Sequence, residues 1–339
     1  MAQNRFVGLD FGTSNYVLGL ADKGETPHAV KFRSGSNFPS QRGRGFTMPL
    51  EKTLCMVAQP RSGTNHVCRL LETLLGIHVY LEPFNPVEPH FHYRFSLKRF
   101  EQAAQRSFDR PGDPALTGWI HDNPEKALDV LRHAADPGCR VMSLKLFADH
   151  VSPDQFETYF VRRPDTHFMT VKRRPIDAYI SFQKAMSLKT WLFNNTTDMR
   201  LPIDADHFAR WHISQSAWYR MTDEMIRAYD RPHTSLQYET DIAGPPAVTV
   251  RHLIGKLKEI GIDTRMRHSV RIKRPVKQAL HHAAKAVGLT SPWSPALGLP
   301  RQDLNGSTAD KVSNWDAFCE DLSKRHDTAM LDRYFTELD

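Results

Sequence analysis

The sequence predicts an α/β protein: a three-layer α/β/α domain around a mostly parallel central sheet, preceded by a short N-terminal β-hairpin extension. Three observations predict it. Short apolar runs with strand character recur at 53–58, 139–147, 167–173 and 235–240. Helical periodicity fills the intervals, over 65–75, 122–135, 152–160, 175–189, 206–229 and 246–260. Strand and helix therefore alternate, and that alternation implies parallel strands covered on both faces.

Taken in order, residues 5–10 and 16–20 form two short strands about a Gly-Thr-Ser turn, a hairpin by pattern. The stretch "SGSNFPSQRGRGF", 34–46, is rich in Gly, Ser, Pro and Arg and poor in apolar residues, so it marks a linker. This divides the chain into an extension, 1–46, and a main domain, 47–339. With 339 residues there is room for one large α/β domain plus such an extension. Hydrophobic residues at 40% and charged residues at 24% are those of an ordinary soluble globular chain. No stretch reaches the ~18 apolar residues of a membrane span, and the start lacks a basic segment followed by a long apolar one. The expected location is the cytoplasm. Cys55, Cys68, Cys139 and Cys319 form no CxxC pair and read as reduced packing residues. Lys and Arg number 45 against 38 Asp and Glu, a basic excess that suits an anionic ligand.

The segment "TLCMVAQPRSGTNHVCRLLETLLG" begins the main domain with a strand (53–58), a polar loop (59–64) and a helix (65–75). A loop joining a strand to a helix aims backbone N–H groups of the turn and the helix N-terminus at one spot, which makes an anion site. Gly63 lets the backbone approach the anion. Ser62, Thr64 and Asn65 add side-chain donors and Arg61 a charge. The loop is P-loop-like without being a Walker A loop, G-x-x-x-x-G-K-[ST]. With Gly63 as the second Gly, Ala58 stands at the first Gly, Thr64 at the Lys and Asn65 at the metal-binding hydroxyl. A Mg-dependent NTPase is therefore disfavoured, and no metal is expected.

The second element is "VKRRPIDAYISFQKA", 171–185. A strand ends in Lys-Arg-Arg and Pro175 opens a helix, its favoured position. Arg173 and Ser181 are eight residues apart, so they meet only if Arg173 lies in the loop and folds over the helix start.

Together, "PRSGT" and "RRPIDAYIS" resemble the two nucleotide motifs of the sulfotransferase family, which uses 3′-phosphoadenosine-5′-phosphosulfate (PAPS). The first is similar to its 5′-phosphosulfate loop. The second resembles its 3′-phosphate site, R-x-P-x-D-x-x-x-S, at Arg173, Pro175, Asp177 and Ser181. The resemblance runs in order over roughly 53–320. Further stretches resemble the bacterial carbohydrate-sulfotransferase branch: "LEPFNP" the segment with its catalytic Glu, and "SLKLFADH" its Lys-bearing strand. "LQYETD" resembles the family's late strand with an acidic end, and "ADKVSNWDAF" the C-terminal loop over the nucleotide.

The resemblance implies sulfuryl transfer from PAPS, the co-substrate, to a hydroxyl of a small molecule or glycan, a carbohydrate or glycolipid above all. No nucleic acid is expected as a partner. Such transfer parallels phosphoryl transfer, with positioning and charge stabilisation carrying the catalysis. Arg61 with Ser62, Gly63, Thr64 and Asn65 would hold the 5′-phosphate and the charge growing on the bridging oxygen. Arg173 and Ser181 would hold the 3′-phosphate. Arg301 and Lys311 would reach the nucleotide from the C-terminal segment. Glu82 is the first candidate for the general base, His150 the second, and Lys145 would steady the sulfuryl group. The alternatives are a P-loop kinase-like enzyme, disfavoured by the missing Walker Lys, and a non-catalytic PAP or polyanion binder.

Two other stretches are weaker signals. "PHFHYRF", 89–95, places His90 and His92 on one face of a strand, but no carboxylate or Cys of fixed spacing completes a metal site. The basic run "RIKRPVKQALHHAAKA", 271–286, reads as a solvated face. At the N-terminus, Asp10, Gly12, Thr13, Ser14 and Asn15 resemble the first phosphate loop of actin-like and Hsp70-like ATPases. That resemblance covers about 40 residues. A nucleotide site made of one hairpin has no opposing wall, so the loop expected to bind phosphate is Pro60–Asn65.

Overall fold

The computed structural model describes residues 6–10, 16–21, 28–32, 50–189, 191, 195–267, 303, 307–325 and 328–335. Two compact units result; one holds the three N-terminal strands and the other every element after them. In the first, β1 (Phe6–Asp10), β2 (Tyr16–Ala21) and β3 (His28–Phe32) form an antiparallel sheet in the order β1-β2-β3. The expected hairpin is present, and a third strand pairs on it, Tyr16 opposite Phe32. A third strand supplies the pairing that a lone hairpin lacks.

The second unit is an α/β domain on a five-stranded, all-parallel sheet in a P-loop-like α/β/α arrangement. It begins with β4 (Lys52–Ala58), α1 (Thr64–Leu71) and the short β5 (Ile77–Val79). Three helices follow: α2 (Leu97–Ala104), α3 (Pro114–Asp122) and α4 (Pro124–Ala134). Then come β6 (Val141–Leu146), α5 (Pro153–Phe156) with a π-turn to Val161, and β7 (Thr166–Lys172). The chain continues through α6 (Pro175–Leu188), α7 (Ala205–Ala228) and β8 (His233–Gln237). A second π-turn, Tyr238–Ile242, leads to α8 (Pro246–Glu259). Near the C-terminus lie α9 (Trp315–Arg325) and α10 (Thr328–Phe335).

Sheet order is β5-β6-β4-β7-β8. From β4 the chain builds one flank with β5 and β6, then the other with β7 and β8. The carboxyl ends of β4, β6 and β7 therefore meet where the winding reverses, the crevice in which open α/β sheets bind ligands. Register sharpens this: Val57 is level with Leu146, and Ala58 with Val171. Three loops leave the sheet at one height.

β4 is buried from Thr53 to Ala58 and β6 along its whole length, as strands covered on both faces must be. The main core packs Cys55, Val57, Met142 and Leu144 against Trp119, Leu128, Phe156 and Trp218. A second core joins α6, α7 and the C-terminal helices through Ile176, Tyr179, Phe208, Phe318 and Tyr334. Among the described residues no helix is long and apolar enough to cross a membrane.

The sequence reading placed β4, β6, β7 and the long helices to within a few residues and missed β5, α2 and α3. β5 has three residues, too few for a pattern. The expected helix 122–135 is α4 alone, because Pro124 opens a helix of its own after Asn123. The strand expected at 235–240 ends at Gln237, where the backbone tightens into the π-turn. Cys55, Cys68 and Cys139 are buried and Cys319 is half-buried, and all four are free.

Candidate active site

The loop after β4 is held from below. Gln59 follows β4, and Val171 is the last residue of β7 that pairs with it, so the ladder between them stops there. The Tyr219 hydroxyl of α7 accepts from the Gln59 N–H (2.9 Å) and donates to the Val171 carbonyl (2.7 Å). Beside it, Trp218 Nε1 donates to the Ala58 carbonyl at 3.1 Å. Buried backbone groups need such partners, and these two side chains supply them where the crevice opens. Ser62 is buried, and its hydroxyl donates to the Gln59 carbonyl (2.8 Å), closing the turn. Gly63 caps α1 in the left-handed region, φ 91°. A Cβ there would stand 2.6 Å from the Tyr238 ring, so both backbone and space require glycine.

Two arginines converge on this loop. Arg61, itself at φ 70°, donates from Nε to the Ser181 hydroxyl (3.0 Å) and from Nη1 to the Trp191 carbonyl (2.7 Å). Arg173, two residues past Val171, donates from Nη1 to the Arg61 carbonyl at 2.8 Å. Its guanidinium carbon lies 4.3 Å from the centre of the Tyr238 ring. Burial, and then the like charge of Arg173, lower the Arg61 pKa to about 10, against a small opposing contribution from Tyr238. Arg173 Nε is buried and has no hydrogen-bond partner among the described residues.

On the other flank of β4, Lys145 of β6 is 1% exposed. Its ammonium lies 2.5 Å from Asn65 Oδ1 and 2.8 Å from Glu82 Oε1. Glu82 Oε2 accepts from Asn85 Nδ2 at 3.1 Å, and His150 Nε2 lies 3.9 Å away. Burial opposes the Glu82 charge, but Lys145, Asn85 and His150 outweigh it and hold the carboxyl below its usual range. Burial pushes the His150 imidazole below its ordinary value, although Glu82 and Asp149 pull the other way. The backbone of Glu82 pairs with that of His90, 2.9 and 3.0 Å, so the "PHFHYRF" stretch braces the Glu82 loop. His92 pairs with the Glu72 carboxylate. Among the described residues no cluster of His, Cys, Asp and Glu suits a metal.

The expected site residues thus fall into two groups that share the loop. Arg61, Ser181 and Arg173 are together, and Asn65, Lys145, Glu82 and His150 are together. Arg61 rather than Arg173 is the residue that bonds Ser181. Lys311 pairs with Asp177 at 3.0 Å, a carboxylate also within electrostatic reach of Arg173. Thr308 also donates to Asp177, so this motif carboxylate clasps the C-terminal segment to the start of α6. Arg301, the basic run 271–286 and the turn residues Gly12, Thr13, Ser14 and Asn15 lie outside the described residues.

Sequence reading missed Tyr238, Tyr219 and Trp218. "LQYETD" was a visible signal for the first, an aromatic side chain at a strand's carboxyl end. The other two sit on α7 with nothing local to mark them, since what they hold belongs to strands about 50 and 160 residues away.

No protein-family model matches this chain, and no curated protein sequence does. Among solved structures it is similar to a sulfotransferase from Alicyclobacillus acidocaldarius, with 12% identity and a TM-score of 0.34, over 71% of this chain and 97% of that one. It is also similar to mouse sulfotransferase SULT7A1 complexed with PAP, with 13% identity and a TM-score of 0.37, over 84% of this chain and 89% of that one.

Proposed function

We propose that this chain is a cytoplasmic sulfotransferase that moves a sulfuryl group from PAPS to a hydroxyl of an acceptor, a carbohydrate or glycolipid. The anion site itself supports the reading. Arg61 and Arg173 come from the ends of adjacent strands and meet on one glycine loop, and burial and mutual repulsion already strain the Arg61 charge. Phosphate groups facing such guanidiniums relieve both. The unpartnered Arg173 Nε is a donor still to be used.

In this reading PAPS supplies the activated sulfuryl group. Arg173 and Ser181 hold the 3′-phosphate. Arg61 and the loop N–H groups face the 5′-phosphate and the oxygen that gains charge as its bond to sulfur breaks. Glu82, ionised at neutral pH, takes the proton of the acceptor hydroxyl as that oxygen bonds to sulfur. Lys145 keeps Glu82 charged and, through Asn65, ties it to the start of α1. Asn65 stands where a metal-binding hydroxyl would be, so the loop is built for charge stabilisation by protein donors.

Calorimetric titration with PAP and transfer of labelled sulfate from PAPS test this. Micromolar binding and transfer to a glycan are expected, and absent PAP binding sinks the reading. Residues 1–46 are proposed as a fused extension outside the transferase; deleting them leaves PAP affinity unchanged, and its loss on deletion refutes that role.

A further inference from the structure

Tyr238 is half-buried and follows β8 directly. Its ring touches both halves of the anion site. Ring atoms lie 2.6 and 2.9 Å from where a Gly63 Cβ would stand, so the ring packs on the loop backbone. The Arg173 guanidinium lies over the same ring at 4.3 Å. The π-turn that carries the ring is anchored on its own account. Asp241 Oδ2 accepts from the Gln237 N–H (2.8 Å), and Glu239 Oε1 accepts from the Arg174 N–H (3.0 Å) at the start of α6.

The neighbouring arginine shows what this arrangement avoids. Arg174 pairs with Asp177 at 3.2 Å, a carboxylate it shares with Lys311. Arg173 forms no ion pair among the described residues. It has one hydrogen bond, to a carbonyl, and the ring face. An aromatic face attracts a cation through its quadrupole and carries no net charge. It can therefore fix a guanidinium beside Arg61 without neutralising it, and the one carboxylate among the described residues that the Arg173 charge is seen to act on, Asp177, is paired with Arg174 and Lys311. A carboxylate in that place would hold Arg173 and cancel the site.

We infer that Tyr238 is a positioning residue: its ring holds Arg173 against the Gly63 loop so that the two arginines stay together before the anion arrives. The inference rests on the proposed anion site, and it concerns the ring rather than the hydroxyl. Two variants separate these. Tyr238→Leu keeps bulk without a π face, and Tyr238→Phe keeps the face without the hydroxyl.

PAP titration of the full-length protein is the first measurement. Tyr238→Leu is expected to weaken binding about tenfold, in line with a desolvated cation–π contact, and Tyr238→Phe to restore it to within about two- to threefold of wild type. Equal loss in both variants would show that the hydroxyl is the working group and overturn the inference. Unchanged affinity in Tyr238→Leu would overturn it as well. The second measurement needs no nucleotide. In the ligand-free protein, the Arg173 Nε–H resonance, assigned by its absence in Arg173→Lys, is shifted upfield by the ring. That shift persists in Tyr238→Phe and collapses in Tyr238→Leu if the inference holds. If wild type fails to bind PAP while the resonance behaves this way, the nucleotide reading fails and the positioning role stands. If the resonance is unshifted in wild type, the positioning role fails whatever PAP does.

Discussion

On the β6 side of β4, Lys145 is buried against Glu82 and Asn65, and its charge is answered by a carboxylate. On the β7 side, Arg61 and Arg173 lie together with a tyrosine ring, a serine hydroxyl and carbonyl oxygens. The first cluster is compensated from within and is complete without a ligand. The second keeps like charges adjacent, which favours an anion there. In the proposed transferase the first prepares a base and the second binds phosphate, and the glycine loop between them sets their spacing.

The largest expected effect comes from breaking the compensated side at its base. Glu82→Gln should lower the transfer rate by roughly 10²–10⁴ while leaving PAP affinity within about twofold. Single-turnover kinetics beside calorimetry check this, and a parallel fall in affinity would place Glu82 in nucleotide binding instead. Lys145→Met removes the partner and leaves the carboxylate buried alone. A loss of about 3–5 kcal/mol in stability is expected from denaturant melts. The surviving protein should show its acid limb of activity at higher pH, because the depressed Glu82 pKa rises. In wild type the sign is opposite. The Glu82 pKa is held below its unfolded value, so its stabilisation is present above the ordinary carboxylate range and lost as pH falls through the folded value.

Breaking the open side should read differently. Arg61→Ala is expected to cost about 10²–10³ in transfer rate and to weaken PAP binding. Thermal stability should change little, because a strained like-charge contact is removed with the side chain. A large drop in melting temperature would contradict the contrast between the two clusters. Gly63→Ala acts on the loop between them, at positive φ and against the Tyr238 ring. It should destabilise by about 1–3 kcal/mol and weaken PAP binding, with paired melts and titrations as the check. The smallest effect concerns His78, on β5. Burial holds its pKa down, to about 4, against the pull of Asp136. Its contribution is intact above its unfolded pKa of about 6.5 and is lost as pH falls through about 4. Replacing it with Gln should flatten that part of the stability–pH curve.

Much of the site was legible because it lies in short local motifs. "PRSGTN" contains its own turn and the start of α1, and "RRPIDAYIS" the approach to and start of α6, so both loops and their donors could be read where they stand. Glu82 and Lys145 could be named as candidates, since each sits in a motif of its own. Their pairing could not be read, because it depends on β6 lying beside β4. Lys311 could likewise be named from its pattern, while its ion pair with Asp177 of the second motif depends on where the C-terminal segment meets α6.

The alternation of strands and helices, the glycine loop at Pro60–Asn65 and the basic residues that could serve an anion were readable along the chain alone. These follow from side-chain periodicity and turn chemistry, which act over a few residues. That β4 stands between β6 and β7, level at Val57–Leu146 and Ala58–Val171, is a property of the assembled sheet. That register divides the candidates into a Lys145–Glu82 ion pair and two adjacent arginines, and it brings Tyr219 and Tyr238 to the same loop. The physical reason is separation along the chain. The Tyr219 wedge spans 160 residues from its partner at Gln59, and contacts of that range are set by sheet order and packing, which no local pattern encodes.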